Sequence, residues 1–389
     1  MAVKGVFASD AGIQGERKGD FASSLLQIMP TGSAQLLALS SGMKSSEATD
    51  TIITWFEENH ISGRVEAQAA YNAAATTVVV DDASSIPAGT IMMVEATGEY
   101  IFVTAVADNS MTVSRGFAGS TADAIADNGG IQRIGTAMEE GSAKPTAVAN
   151  LGYPRFNNLQ IFRNSWDVTG TAKAIAYYTG SKVAKNRSEC LGFHAEDMER
   201  SMIWGRKSVG VQNGKPFRTM DGINTMITTN VTAAGATTNM SQLNTFFQSV
   251  FSKNIKGQPN ERIGFCGNGA ITVLNDIARI EGQIRITPGQ TDFGLEITRW
   301  RTPYGSVTFM THPLMNENPV WTKDMYLYHP AAIQTRYLRR THMDDYTEDG
   351  DRAGDDADFG VVTTEVSIQY NAEVTGGKLT GLTAGAAVA

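Results

Sequence analysis

Residues 157–175 read NNLQIFRNSWDVTGTAKAI, and the rest of the chain is best understood from them. Through Leu159, Ile161 and, two residues on, Arg163, the side chains alternate as in an extended strand rather than at helical spacing. Just upstream, Lys144–Pro145 and Tyr153–Pro154 exclude a helix, because the residue before a proline is pushed out of the helical region. An extended limb of about 15 residues reaches ~40–50 Å at ~3.3 Å per residue. Such a limb outruns a globular core, so the expectation is main chain that must find its cover on neighbouring copies.

Outward toward the N-terminus, the texture between Thr76 and Arg133 is different. TTVVVDD, TIMMVEA, EYIFVTAV, SMTVSRG and GGIQRIG are short β-rich runs separated by Ile86–Pro87–Ala88–Gly89, Thr97–Gly98 and Asp108–Asn109. Five short strands with turn chemistry between them predict a small all-β unit inserted into the chain. Before it, Thr51–His60 is a β-branched run carrying Trp55–Phe56 into Glu57–Glu58, which reads as a strand. Two extended segments flanking one β unit predict the limbs of a single long hairpin. Residues 1–50 are small and weakly periodic, with apolar clusters only at Leu25–Leu26 and Leu36–Ala38, and predict an arm ordered on a partner surface.

Toward the C-terminus the period becomes helical. From Ser181 to Trp204, Leu191, Ala195, Met198 and Met202 fall at i, i+4, i+7 and i+11, with Gly205 as the C-cap and Gly192 tolerated at roughly 1 kcal/mol relative to Ala. Residues 215–334 alternate strand and helix. SQLNTFFQSVFSKN presents Leu243, Phe246, Phe247, Val250 and Phe251, while NGAITVLNDIARIE presents Ala270, Val273, Leu274 and Ile277. Val362, Thr364, Val366, Ile368 and Tyr370 then alternate with polar residues as a half-buried strand ~30 Å long.

Composition narrows the function. The 389 residues are 42% hydrophobic and 19% charged, enough apolar content for a packed core and too little charge for a disordered acidic tail. Against 32 Lys and Arg stand 40 Asp and Glu, a formal −8 that disfavours generic duplex binding. The start, MAVKGVFASD, has no charged segment followed by an apolar one, and no apolar run approaches the ~18 residues of a membrane span, so a soluble, unexported chain is expected. Cys190 and Cys266 are too few for a disulfide framework or a four-ligand zinc site and read as buried thiols. The 39 glycines point to many turns and close backbone approaches.

Catalytic constellations are absent or incomplete. Gly264–Ala270 at a strand-to-helix junction invites a nucleotide reading, but its spacing is GxxGxG, without a P-loop lysine, and a tight turn with Asn268 as N-cap fits better. His194–Ala195–Glu196 matches half of a zinc-deaminase signature whose PCxxC partner is missing. His60, His312, His329 and His342 lack metal-site spacing, and Ser41–Lys44 is a lone SxxK. No catalytic, cofactor or metal residue is assigned, and no cofactor is expected. The acidic run Asp344, Asp345, Glu348, Asp349, Asp351, Asp355, Asp356 and Asp358 has Gly360 where a calcium loop starting at Asp349 needs its last acid. It reads as a solvated loop or as a surface facing a basic patch on a neighbouring copy, with Arg336, Arg339 and Arg340 close by in sequence.

The order of parts resembles the major capsid proteins of tailed bacteriophages, of the Hong Kong 97 type. More narrowly, it is similar to the marine-phage-type family once catalogued as a domain of unknown function. The resemblance is carried by Thr51–His60, Asn157–Ile175, the helix end Glu196–Gly205 and Thr219–Met220–Asp221–Gly222–Ile223. It implies an α+β capsid fold plus a small inserted all-β domain. The parts are an N-terminal arm (1–50), extended-loop limbs with an adjoining peripheral strand (51–75 and 136–170), the inserted domain (76–135), a peripheral domain with the spine helix (171–214), an axial domain (215–334) and peripheral return strands (335–389). It further implies a structural protein, not an enzyme, that self-assembles into hexamers and pentamers of an icosahedral head around double-stranded DNA in the host cytoplasm. Portal and scaffold or decoration proteins would be partners, DNA would be touched weakly, and no membrane would be involved. A nanocompartment shell of the same fold is the alternative, and a nucleotide-binding enzyme the remote one. Assembly contacts are expected from Trp55, Glu57, Glu58, Arg155, Arg163 and Arg187, together with Arg336, Arg339, Arg340, Asp344, Asp345, Asp349, Asp351 and Asp355.

Overall fold

Chain order begins with strands β1 (Lys44–Glu47) and β2 (Ile52–Glu57) in a computed structural model that describes residues 43–58, 60–145, 147–177, 180–280, 299–347 and 356–383. Six short strands follow: β3 (Arg64–Glu66), β4 (Thr77–Val79), β5 (Thr90–Val94), β6 (Tyr100–Ala107), β7 (Ser110–Ser114) and β8 (Gly130–Thr136). The chain returns through β9 (Tyr153–Asn158) and β10 (Gln160–Thr169) into helices α1 (Gly170–Ala174) and α2 (Lys182–Trp204). A hairpin of β11 (Ser208–Gln212) and β12 (Lys215–Thr219) precedes α3 (Ile223–Met226), β13 (Val231–Ala233), α4 (Met240–Phe251), β14 (Glu261–Cys266) and α5 (Asn268–Ile280). The last elements are β15 (Arg299–Thr302), β16 (Gly305–Thr311), α6 (Pro313–Asn316), β17 (Met325–Tyr328), β18 (Ile333–Thr347), β19 (Ala357–Tyr370) and β20 (Gly377–Thr380).

Two units result: a first made of the chain on either side of residues 56–155, and a second, Phe56–Arg155. In the second unit the strand order is β3-β8-β5-β6-β7-β4. Its two ends are joined, because Gln68 N donates to Val79 O (2.9 Å) and Asp81 N to Glu66 O (3.0 Å), so the sheet closes on itself as a small barrel. Val65, Val78, Met92, Ile101, Val103, Met111 and Ile131 fill the interior. The five runs read from sequence correspond to β4 through β8. The sheet also takes in β3, whose three residues are too short to announce themselves. Glu99 is fully buried and bonded by Arg115, 2.6 Å from Nη2 to Oε2. Burial pushes its carboxyl upward, but Arg115 and the Gly116 and Asp123 amides outweigh that and hold it below the usual carboxylate range.

In the first unit, a four-stranded sheet of order β1-β18-β19-β10 lies against α2. β10 pairs with β19 along its whole length, from Gln160↔Val366 to Thr169↔Ala357. This corrects the reading of 160–169 as a limb without cover in its own chain. The buried phase is Phe162, Trp166 and Val168, one residue out of step with the Ile161 and Arg163 phase, and a one-residue shift exchanges the faces of a strand. β19, expected to be half-buried, is instead buried on both faces because it is a central strand, and Thr363, Thr364, Glu365 and Ser367 are inside with their apolar neighbours.

Helix α2 starts at the side-chain cap of Ser181, which accepts from Ala184 N, and ends at Gly205. Its buried stripe is Cys190, His194, Met198 and Met202, joined by Glu199 and Ile203, whereas Leu191 is exposed. Spacing located the helix, but its N-terminal half packs on Trp166, Val168 and Val362 through Cys190 rather than through Leu191. The end of α2 is fastened to the second sheet of the unit, of order β13-β20-β17-β14-β16-β15. Glu199 Oε1 lies 3.2 Å from His312 Nε2 in a fully buried pair, Arg200 bonds Glu317 at 3.1 Å, and Trp204 stacks on Trp321 at 4.0 Å. Strands β14 and β17 pass between two cores. Phe265, Tyr326 and Tyr328 face Met198, Met202 and Ile203 of α2, while Cys266, Met325 and Leu327 face Phe246, Phe247 and Val250 of α4 and Val273, Leu274 and Ile277 of α5.

Candidate assembly interface

The junctions that invited catalytic readings are closed by the chain itself. A Cβ on Gly267 would stand 2.3 Å from Thr322 Cα, so this glycine admits neighbouring backbone and leaves no space there for a phosphate. The first amides of α5 are satisfied from outside the helix, Asn268 N by Asn316 Oδ1 (2.7 Å) and Gly269 N by Thr322 Oγ1 (3.1 Å). Asn268 is thus a donor inside the helix and not its N-cap, correcting the expectation from spacing. His194 is buried, with Nδ1 2.7 Å from Asn164 Oδ1 and Nε2 2.7 Å from Thr364 Oγ1. Burial holds its pKa below the ordinary value, against the opposing charge of Asp197, so the ring is a neutral structural bridge between α2, β10 and β19. Burial also raises both thiols, Cys266 to about 12. Among the described residues no cluster of His, Cys, Asp or Glu is placed to hold a metal ion, and no helix is long and apolar enough to cross a membrane. An open groove beside β13 is lined by Thr229, Asn230, Gln242 and Phe246 and carries no titratable side chain.

The sequence segments singled out above converge within the first unit. Asn157, wholly buried, donates from Nδ2 to Asp221 O (3.1 Å) and Ile368 O (2.8 Å) and accepts from Asp221 N at Oδ1 (2.9 Å). Asp221 Oδ1 accepts from Lys207 N at 2.7 Å. A Cβ on Gly222 would lie 2.7 Å from Gly205 N, so Asp-Gly is what lets this loop press against the end of α2.

The expected contact residues are distributed as follows. Trp55 is buried with Ala48, Ile53 and Leu159. In the second unit Glu57 accepts from Tyr153 Oη (3.1 Å) and lies 3.9 Å from Arg155, whose guanidinium covers the Tyr153 ring; Glu58 is exposed. Arg163 is exposed on β10. Arg187 pairs with Asp345 at 2.9 Å, and Asp344 lies 3.6 Å from His342. The three arginines that sequence set beside the acidic run have partners in their own chain: Arg336 donates to Ser46 Oγ (2.9 Å), Arg339 pairs with Glu365 (2.9 Å) and Arg340 lies over the Tyr337 ring. Asp349, Asp351 and Asp355 lie outside the described residues.

Sequence reading missed the apolar part of the surface. Leu151 (83%) and Phe56 (75%) in the second unit, and Val211 (73%) and Val209 (64%) on the β11–β12 hairpin, are among the most exposed large apolar side chains. The hairpin had a readable signal, Asn213–Gly214 between alternating residues, with both φ values positive (51° and 75°) as a two-residue loop of this kind requires. The expected boundary between residues 214 and 215 falls inside that turn.

A long helix braced on one sheet and bolted by its C-terminal turns to a second, six-stranded sheet defines the Hong Kong 97-type fold of capsid shell proteins. The chain superposes on the capsid of an empty GTA particle with a TM-score of 0.53 at 6% identity, covering 97% of this chain and all (100%) of that one. It superposes on a structure from Gordonia phage Cozz with a TM-score of 0.51 at 10% identity, covering 99% of each. It belongs to the SU10 major capsid protein family, whose model matches residues 7–383. A major capsid protein of Pseudomonas phage PaMx41 is 28% identical over 97% of this chain and 91% of its own length. The chain is a phage major capsid protein, a structural component of the virion.

Proposed function

We propose that copies of this chain assemble as hexamers and pentamers into a closed icosahedral head around double-stranded DNA, in the host cytoplasm, with portal and scaffold or decoration proteins as partners. The observation that carries the reading is the near end-to-end family match; apolar side chains left in solvent, which gain ~25 cal/mol per Å² on burial, give it a driving force. Residues 1–50 serve as the arm, 51–75 and 136–170 as the extended-loop limbs and adjoining peripheral strand, and 76–135 as an insertion. Residues 171–214 and 335–389 form the peripheral domain and 215–334 the axial domain. Glu58, Arg155 and Arg163 contact neighbours, as does the acidic segment beginning at Asp344. A formal −8 suits a lining that DNA must slide past without sticking.

Electron microscopy of the purified protein tests this: capsomers, tubes or shells are expected, and a strictly monodisperse monomer at high concentration refutes it. Deleting residues 1–42, which precede the first described strand, should leave a folded chain that makes no regular shells. Normal shells from that deletion would remove the arm's role.

A further inference from the structure

The β11–β12 hairpin keeps an apolar face in solvent. Its register sets Val209 opposite Arg218 and Val211 opposite Pro216, so these four share one face. Both valines are exposed, and so is Phe217 on the other face, across from Gly210. A two-stranded ladder is marginal in water unless a face is packed. The charge is one-sided too: residues 206–219 hold the four cations Arg206, Lys207, Lys215 and Arg218 and no carboxylate. Lys207 lies 3.3 Å from Asp221, while the other three meet no carboxylate within 4.0 Å among the described residues.

The opposite charge is fixed at one end of the barrel. There the β6–β7 turn is clamped to the chain that leaves β4: Val80 N donates to Asn109 O (2.9 Å), Asn109 Nδ2 to Asp81 O (3.0 Å) and Ala83 N to Asn109 Oδ1 (3.3 Å). Asp108, one residue before Asn109, is thereby brought to the same end as Asp81 and Asp82, and all three are exposed. Main chain rather than a cation holds these acids in place. Asp81 Oδ1 accepts from Glu66 N and Asp82 N, each at 2.9 Å, and Asp82 Oδ1 accepts from Ser84 N at 2.9 Å. Among the described residues no Lys or Arg lies within 4.0 Å of any of the three. Beside the turn the outer wall of the barrel is smooth and uncharged, with Ala105 and Ala107 of β6 and Thr112 of β7 exposed and Ala105 directly across from Thr112. Twelve carboxylates against five cations make the whole second unit formally −7, so its surroundings do not cancel this charge.

We infer that the hairpin 206–219 of one copy docks on this end of the barrel of a second copy. Lys215 and Arg218 meet Asp81, Asp82 and Asp108, and Val209 and Val211 lie on the wall at Ala105 and Ala107. Phosphates would take up the cations but leave the valines in water, whereas an acidic protein surface with an uncharged wall satisfies both. The valines supply the desolvated centre and the charges steer the approach. The contact is head-to-tail: each copy gives its hairpin to one neighbour and its barrel to another, the heterologous geometry that closes into rings when the rotation closes. The inference rests on the self-assembly reading and specifies one of its contacts.

Carbodiimide coupling, which joins a lysine amine directly to a touching carboxylate, tests it on particles assembled from a mixture of light and heavy-nitrogen protein. The expected product links Lys215 to Asp81, Asp82 or Asp108 and includes mixed-isotope pairs. Coupling of Lys207 to Asp221 within one copy reports that the reagent has worked. Lys215→Arg, which keeps the charge but cannot be coupled, should form particles and lose the product. Asp81→Asn with Asp82→Asn and Asp108→Asn keeps the oxygens that accept main-chain amides, and asparagine tolerates the positive φ of 51° at residue 108. That variant should lower particle yield by about tenfold with an unchanged circular dichroism spectrum, as should Lys215→Glu with Arg218→Glu, and added salt should mimic the loss. Lys215 products confined to single-isotope pairs, or running to carboxylates elsewhere, overturn the inference, and so does a normal particle yield from the three-asparagine variant. Charge-reversed particles of normal yield that fail only to retain DNA also overturn it and assign the hairpin to nucleic acid. Wild-type protein that never forms particles defeats the assembly reading and the inference with it, a result distinct from particles that form without the crosslink.

Discussion

His194 shows how a residue that invites a catalytic reading serves the fold instead. Asn164 donates its amide to Asp197, 3.1 Å away, so its Oδ1 accepts from His194 Nδ1–H, and Nε2 of the ring lies 2.7 Å from the Thr364 hydroxyl oxygen. Because the folded pKa lies below 6.5, the stability tied to this ring is complete above pH 6.5. It falls as pH drops through that value, where the unfolded chain binds a proton that the folded chain refuses. Thermal melts between pH 7.5 and 5.5 should therefore show falling stability. His194→Gln should make that fall shallower by up to about 1.4 kcal/mol per pH unit, the most one proton can contribute. The slope should not vanish, since His329 is also pushed down, first by burial. An unchanged slope in the variant would contradict this account. Sequence showed that His194 lacked metal partners; its hydrogen-bond partners, 30 and 170 residues away, lay beyond local pattern.

Among elements, α2 was legible because a 3.6-residue period survives a small rotation, whereas the identity of its packed face did not. Met198 and Met202 appear in both the expected and the observed stripe, while Leu191 and Ala195 give way to Cys190 and His194, since only the partner sheet decides which flank is covered. Two substitutions separate the faces. A Cβ at Gly192 would meet no atom within 4 Å beyond its own helix backbone, so Gly192→Ala should stabilise the helix by about 1 kcal/mol, a rise in Tm of roughly 2 °C. Met202→Ala, at a position 1% exposed, should cost about 2–5 kcal/mol. Calorimetry that gave both variants the same sign would refute the assigned face. Strand phase was less legible still: in β10 and β19 polar and apolar residues alternate, yet the edge strand β10 buries one face and the central strand β19 buries both, and the sequence of one strand does not tell how many neighbours it has.

For the whole molecule, charge and tryptophan divide along the same line as the fold. Phe56–Arg155 holds twelve carboxylates and five cations, a formal −7 of the chain's −8, and none of the five tryptophans. Tryptophan fluorescence therefore reports on the first unit alone. Arg115→Met leaves Glu99 charged in a dry interior, which should cost the second unit about 3–5 kcal/mol. Denaturation followed by circular dichroism should then show an early transition that tryptophan emission does not follow; coincident transitions would mean that the units do not fold independently. The joining of β3 to β4 has a consequence for life in a crowd. A head packs many copies within nanometres of one another, conditions under which any strand with unsatisfied amides recruits a stranger and seeds aggregates. A ring of six strands with no first or last member offers no such rim, so this unit can be displayed at very high local density and stay inert toward its own kind.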